Sequence, residues 1–71
     1  MFFNMKIEVN KDQPLDEIVE ELERLGYKAG FTYTINIYSI ESYSDGVYDF
    51  YNFRQESDTT LSELKEMKCS N

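Results

Sequence analysis

The sequence predicts an α+β fold: a small two-layer domain in the order β-α-β-β-α, with a three-stranded sheet packed against the first helix. Segments with the two-residue period of strands flank a segment with the helical period, and the turn signal Ser44-Asp45-Gly46 joins two of the strand-like segments. The length of 71 residues corresponds to a single domain that spans residues 1–71 and has one small core.

The first strand and the first helix are predicted at residues 5–10 and 14–25. The segment MKIEVN alternates apolar and polar residues, as a half-buried strand does. Pro14 fits a first helical turn, and Gly26 provides a left-handed stop. The apolar residues between them recur at helical spacing: Leu15, Ile18, Val19, Leu22 and Leu25.

A hairpin is predicted from strands at residues 31–41 and 47–54, both rich in β-branched and aromatic residues. A two-residue loop would set Glu41 across from Phe50, whereas a three-residue loop would set Glu41 across from Asp49. Like charges directly opposite each other are destabilising, so the two-residue loop is favoured.

A second, short helix is predicted at residues 60–68. Thr60 and Glu63 match a capping box, in which each side chain satisfies a free backbone N–H of the other residue. The first helix makes a right-handed crossover, which predicts that the first and second strands are parallel, and the order of the strands in the sheet stays open.

Composition limits the functions open to the chain. Fourteen acidic against seven basic residues give a formal net charge of -7, which favours basic partners over nucleic acid or anionic membranes. The first residues lack the features of a signal peptide, and no apolar run reaches the length of a membrane span. Cys69 is the sole cysteine, which indicates a reducing compartment, and we expect a cytoplasmic protein.

Catalysis and metal binding are not expected. The chain has no histidine, which removes the commonest general base and metal ligand, and it has no Gly-rich phosphate loop. A carboxylate-dependent enzyme would need a deep cleft, which a two-layer domain of this size rarely offers. We therefore expect no enzyme activity and no cofactor.

The polar side of the first helix is strongly acidic, with Arg24 as its basic residue. Asp16 and Glu20 form a like-charge i,i+4 pair, as do Glu17 and Glu21, although Glu20 is also placed to pair with Arg24. Two interpretations stay open: a solvated face that maintains solubility, or a row of carboxylates presented to a basic groove. The candidate binding residues on this helix are Asp16, Glu17, Glu20, Glu21 and Glu23.

Aromatic residues fall on both faces of the predicted sheet. The face expected beneath the first helix carries Ile35, Ile37, Tyr48 and Phe50. The opposite face then carries Tyr38, Ile40, Tyr51 and Phe53. Either the second helix or the N-terminal Phe2 and Phe3 cover this opposite face, or part of it stays open for docking, with Tyr38 and Tyr51 as candidate anchors.

Three segments give the chain its general character: LDEIVEELERLGY, YSDGVYDFYNFR and TTLSELKEM. In size, charge and layout it resembles the small acidic accessory proteins of phages and mobile elements, including anti-CRISPR and anti-restriction inhibitors that mimic DNA. The resemblance implies an inhibitor that occludes the nucleic-acid site of a basic host enzyme, such as a CRISPR or restriction nuclease. The alternative is a structural or regulatory module that homodimerises through its aromatic sheet face.

Overall fold

The computed structural model describes residues 1–31 and 35–68 and has the α+β class that the sequence predicts. Its sheet has four strands in the spatial order β1-β3-β4-β2, so the prediction of three strands is wrong. The elements along the chain are β1 (Met5–Glu8), α1 (Leu15–Arg24), β2 (Lys28–Ala29), β3 (Ser39–Ser42), β4 (Val47–Tyr51) and α2 (Leu61–Glu66).

The predicted parallel orientation of the first two long strands is also wrong. β1 pairs with β3 in antiparallel orientation, and Ile7 lies opposite Ile40. β3 is antiparallel to β4, and β4 is parallel to β2, so β1 and β2 run in the same direction. The crossover through α1 therefore ends on β2 at the far edge of the sheet, and the β3–β4 hairpin fills the gap between β1 and β2.

The predicted strand at 31–41 is much shorter in the structure. Residues 32–34 lie outside the described residues, and regular pairing begins only at Ser39. Asn36 has a φ of 56°, which interrupts an extended strand, and Ile35 is 71% exposed, although the sequence placed it beneath α1. High β-propensity in this segment therefore does not maintain one continuous strand through Asn36.

The hairpin takes the three-residue loop, so the favoured register is wrong and Glu41 lies opposite Asp49. Gly46 has a φ of +87°, and its N–H donates to Tyr43 O at 3.0 Å, as in a type I turn followed by a left-handed residue. A slip of one residue would turn Ile40 out of the core, in which it is fully buried.

The magnitudes explain why this register is adopted. Burying an isoleucine is worth about 1.5–3 kcal/mol, whereas an unfavourable cross-strand pair costs at most about 1 kcal/mol. The prediction that Ile40 lies on the outer face is corrected for the same reason. Its partner Phe50 packs against the same core.

Both helices pack on one face of the sheet, called here the inner face. The buried side chains form one cluster, in which Ile18 and Leu22 of α1 meet Leu61 and Leu64 of α2. The cluster also contains Met5, Ile7, Leu25, Tyr27, Ile40 and Tyr48. One interpretation of the sequence expected the second helix to cover the outer face. The helix packs on the inner face instead, so it does not cover the outer face.

Local signals at the helix ends are confirmed. Gly26, with a φ of +98°, follows α1, and its N–H donates to Glu23 O while the N–H of Tyr27 donates to Leu22 O. At α2, Glu63 N donates to Thr60 Oγ1 at 3.1 Å and Thr60 N donates to Glu63 Oε1 at 2.9 Å, which is the predicted capping box. α1 is two residues shorter than the predicted 14–25, and α2 is three residues shorter than the predicted 60–68.

The two edges of the sheet are protected differently. At β1, the N–H of Lys6 donates to Asp58 Oδ1 at 2.8 Å, and the N–H groups of Asp58 and Thr59 donate back to Lys6 O. At the other edge, β2 has only two residues. A covered edge and a very short edge both limit strand addition by another chain.

Gly30 lies where β2 leaves the sheet, and we predict that Gly30→Ala destabilises the protein by about 1–3 kcal/mol. A Cβ at this position would lie 2.6 Å from Val47 Cγ1 and closer still to Asp49 Oδ1. Asp49 cannot move away without losing the hydrogen bond that it accepts from Phe31 N at 2.7 Å. Urea unfolding followed by circular dichroism measures the effect.

The neighbouring exposed Ala29 supplies the control for this prediction. Ala29→Ser should change the free energy of unfolding by less than about 0.5 kcal/mol. An equally small change for Gly30→Ala would show that the packing beside Gly30 does not constrain the fold.

Candidate functional site

The structure divides the five predicted carboxylates of α1 into two groups. Glu17 pairs with Lys65 of α2, and Glu21 pairs with Arg24 of α1, whose guanidinium reaches the end of α2. The remaining three, at helical spacing i, i+4 and i+7, form one stripe on the exposed side of α1, called here the acidic stripe. Its members are Asp16, Glu20 and Glu23.

The group facing α2 holds the two helices together. Glu21 Oε1 lies 2.7 Å from Arg24 Nε, and Arg24 Nη2 donates to Leu64 O at 2.9 Å and to Met67 O at 3.0 Å. Arg24 thus satisfies carbonyls at the end of α2, which are left free by the helix itself. The sequence placed Arg24 beside Glu20, but α2 packs on the other flank of α1 and draws the guanidinium to Glu21.

Glu17 makes a weaker contact of the same kind. Its Oε1 lies 3.4 Å from Lys65 Nζ, and both side chains are about half exposed. An exposed ion pair of this type contributes little to stability, about 0–1 kcal/mol. Glu17 can therefore exchange Lys65 for another cation at low cost, whereas Glu21 is fixed by its structural role.

The acidic stripe is the least compensated part of α1. Asp16 and Glu20 are exposed and make no ion pair or hydrogen bond with any residue in the described part of the chain. Glu23 Oε2 accepts a hydrogen bond from Tyr48 Oη at 3.0 Å, which ties the end of the stripe to the core. Two adjacent carboxylates thus face solvent without a cation of their own.

The two predicted tyrosine anchors lie away from this stripe. Tyr51 alternates with the inward-facing Phe50, so its side chain lies on the outer face of the sheet, with its ring 5.2 Å from that of Phe53. Tyr38 precedes β3 and is 40% exposed, and the Arg54 guanidinium lies 5.7 Å from its ring centroid. Because α1 packs on the inner face, the acidic stripe and Tyr51 lie on opposite layers.

The N-terminal phenylalanines do not cover Tyr51 either. Phe2 packs edge-on against Tyr27, with ring centroids 4.8 Å apart, and Phe3 is 47% exposed. Phe53 remains 52% exposed. The outer face therefore keeps aromatic surface in contact with solvent.

Sequence reasoning missed the residues that surround Tyr51. Tyr43 Oη is hydrogen-bonded to Tyr51 Oη, and Glu41 and Asp49 lie opposite each other on the same face. Burial raises the pKa of Tyr43 well above its usual range, and the hydrogen bond to Tyr51 and the charge of Glu41 act in the same direction. A three-residue hairpin loop, had it been favoured, would have placed these four residues on one face.

The remaining surface offers an open cleft of about 350 Å³ beside α2, and none of the predicted binding residues lines it. Gln13, on its wall, is committed to structure, since its Nε2 donates to Glu8 O at 2.7 Å and its Oε1 accepts from Leu61 N at 2.9 Å. Within residues 1–31 and 35–68, no group of three or more acidic or cysteine side chains could hold a metal ion. Cys69 lies outside the described residues.

The chain matches no protein-family model, no curated protein and no solved structure at a significant level. No helix in the described part of the chain is long and apolar enough to cross a membrane.

The Tyr48–Glu23 contact gives a prediction about pH. Burial raises the pKa of Tyr48 to about 12 from an ordinary 10.0, and the hydrogen bond to Glu23 and its charge add to the effect. Because the neutral phenol is favoured in the folded state, its contribution to stability is complete below pH 10 and is lost as the pH rises through 12. The free energy of unfolding should therefore fall over this interval.

Tyr48→Phe should reduce the dependence on pH, because it removes one titrating group while keeping the ring. Urea unfolding at a series of pH values from 9 to 12 measures both proteins. Some dependence should remain in the variant, since the pKa of Tyr43 is also raised. Identical slopes for the two proteins would contradict this account of Tyr48.

Proposed function

We propose that the protein is a binding protein that inhibits a basic, nucleic-acid-processing enzyme, such as a CRISPR or restriction nuclease, by occupying its nucleic-acid site. It would act in the cytoplasm, where such a target meets its substrate. The carboxylates of α1 would replace backbone phosphates, and catalysis by the inhibitor itself is not required.

One observation carries this proposal: Asp16 and Glu20 are adjacent on the exposed side of α1 and have no internal partner among the described residues. Four residues along a helix correspond to about 6 Å, so two negative charges are held at a fixed spacing on a rigid element. Such a pair costs a few tenths of a kcal/mol in the free protein. A lysine or arginine supplied by a partner would relieve that repulsion.

The overall charge supports the same proposal. A formal net charge of -7 on 71 residues accelerates association with a positively charged groove and disfavours association with nucleic acid. Glu17 can join the contact by exchanging Lys65, and Glu23 has its carboxylate at the end of the stripe. Glu21 is not proposed as a contact, because its ion pair with Arg24 anchors α2.

The experiment compares charge-neutral variants on a capture column. Asp16→Asn with Glu20→Gln removes both uncompensated charges and keeps the size of each side chain. With a bacterial lysate, we expect the native protein to retain basic nucleic-acid enzymes, identified by mass spectrometry, and the double variant to retain at least tenfold less. Duplex DNA added to the column should release them, because it competes for the same groove.

The matched control removes two charges elsewhere. Glu56→Gln with Glu66→Gln changes the net charge equally, at exposed positions that have no partner in the described part of the chain. It should retain the captured proteins. Equal losses in the two double variants, or capture that DNA does not reverse, would refute a specific role for the acidic stripe.

A second candidate function, homodimerisation through the outer face, is favoured by the exposure of Phe53 there. Sedimentation velocity at several concentrations distinguishes the two. A dimer that persists in Asp16→Asn with Glu20→Gln and dissociates in Phe53→Ser would support this alternative over the inhibitor.

A further inference from the structure

The outer face of the hairpin combines two carboxylates and two tyrosines, and we call these four residues the tyrosine–carboxylate face. Its members are Glu41, Tyr43, Asp49 and Tyr51. All four are partly exposed. The face belongs to the layer opposite the acidic stripe and has no part in the function proposed above.

The tyrosines meet above the carboxylates. Tyr43 lies across from the position of Val47, four residues before Tyr51, which is about 13 Å along a strand. Their hydroxyls nevertheless form a hydrogen bond, so the two side chains lean toward each other and meet near the Glu41–Asp49 pair. Aromatic rings and negative charge are thus brought together in one place.

Neither carboxylate forms an ion pair within the described residues, although Lys6 on β1 lies opposite Glu41 and supplies one positive charge against the two negative ones. Glu41 makes no ion pair or hydrogen bond with any described residue, and Asp49 Oδ1 accepts only the neutral N–H of Phe31 at 2.7 Å. Directly opposed like charges are unfavourable in a sheet. A cation placed between the two carboxylates would remove this repulsion, so the face is complementary to positive charge.

The chain itself shows which cation suits such a surface. Arg54 lies with its guanidinium 5.7 Å from the Tyr38 ring centroid and 3.7 Å from Glu8 Oε2, so one arginine meets both a ring and a carboxylate. The rings of Tyr51 and Phe53 and the carboxylate of Glu41 provide the same two kinds of group, with no arginine present. A guanidinium stacks on rings and donates paired hydrogen bonds to a carboxylate in its plane better than an ammonium does.

We infer that the tyrosine–carboxylate face receives an arginine side chain of a protein partner, stacked on the tyrosine rings and paired with Glu41. This goes beyond the proposed function, because it concerns another surface and does not depend on what the acidic stripe contacts. Arginine is preferred to lysine there, and a second copy of this chain is not the occupant.

The test is an NMR titration of the full chain with two blocked tetrapeptides, one of arginine and one of lysine. We expect saturable shifts of the amides of Glu41, Tyr43 and Tyr51, with the arginine peptide binding at least about threefold more tightly. Glu41→Gln should weaken binding of the arginine peptide by about fivefold or more, a loss in the range of one charge-assisted contact.

Two matched variants make the result decisive. Glu66→Gln removes the same charge from α2, and Asp16→Asn with Glu20→Gln tests the acidic stripe; neither should alter the shifts on the hairpin. Equal weakening by Glu41→Gln and Glu66→Gln, equal affinity for both peptides, or shifts confined to α1 would overturn the inference. Protection of these amides by self-association in sedimentation experiments would also overturn it and would leave the proposal for α1 unaffected.

Discussion

One row of inward-facing side chains across the sheet determines most of the arrangement of this protein. Ile7 on β1 lies opposite Ile40 on β3, and Ile40 lies opposite Phe50 on β4. The helices can bury this row only if all three side chains point to the same face. Since a slip of one residue would expose Ile40, the row fixes the register of both antiparallel pairs.

The same row also determines what the outer face presents. With Ile40 and Phe50 inward, their neighbours Glu41 and Asp49 must point outward and lie opposite each other. The core thereby imposes a repulsive contact on the surface, because apolar burial outweighs the repulsion of two partly solvated charges. An anionic outer surface is therefore partly a consequence of packing, and it becomes a binding surface only where a partner supplies the missing cation.

The sequence predicted the features that depend on residues close together along the chain. The helix of Leu15–Arg24, the stop at Gly26 and the capping box of Thr60 follow from spacing and from backbone groups that must be satisfied locally. The register and the strand order could not be obtained in this way. β2 has only Lys28 and Ala29, too short for any periodicity, and it exists because β4 offers it hydrogen bonds.

For the candidate site, too, local sequence predicted some features, and others depend on tertiary packing. Residue type and helical spacing identified the acidic residues of α1, but which of them remain uncompensated depends on where α2 packs. Arg24 could pair with Glu20 in an isolated helix, yet in the folded chain it also bonds to the carbonyls of Leu64 and Met67. Tertiary packing thus determines which carboxylate each cation pairs with. Among residues 1–31 and 35–68, the position of α2 leaves Asp16 and Glu20 unpaired on the side facing solvent.

The small core of this protein commits the groups around it to structure. Nearly all of its large buried side chains are needed to hold two short helices on a four-stranded sheet, and the polar groups near them are already committed: Gln13 to the start of α2 and Asp58 to the edge of β1. The uncommitted groups include the acidic stripe and the tyrosine–carboxylate face, and both of these surfaces are anionic. Because the surfaces belong to opposite layers, a flat partner can contact only one of them, so a partner that used both would have to enclose the domain. The acidic stripe lies on a rigid helix and presents carboxylates at fixed spacing, which suits a groove that binds phosphates, whereas the outer face adds exposed rings, which suits individual arginine side chains.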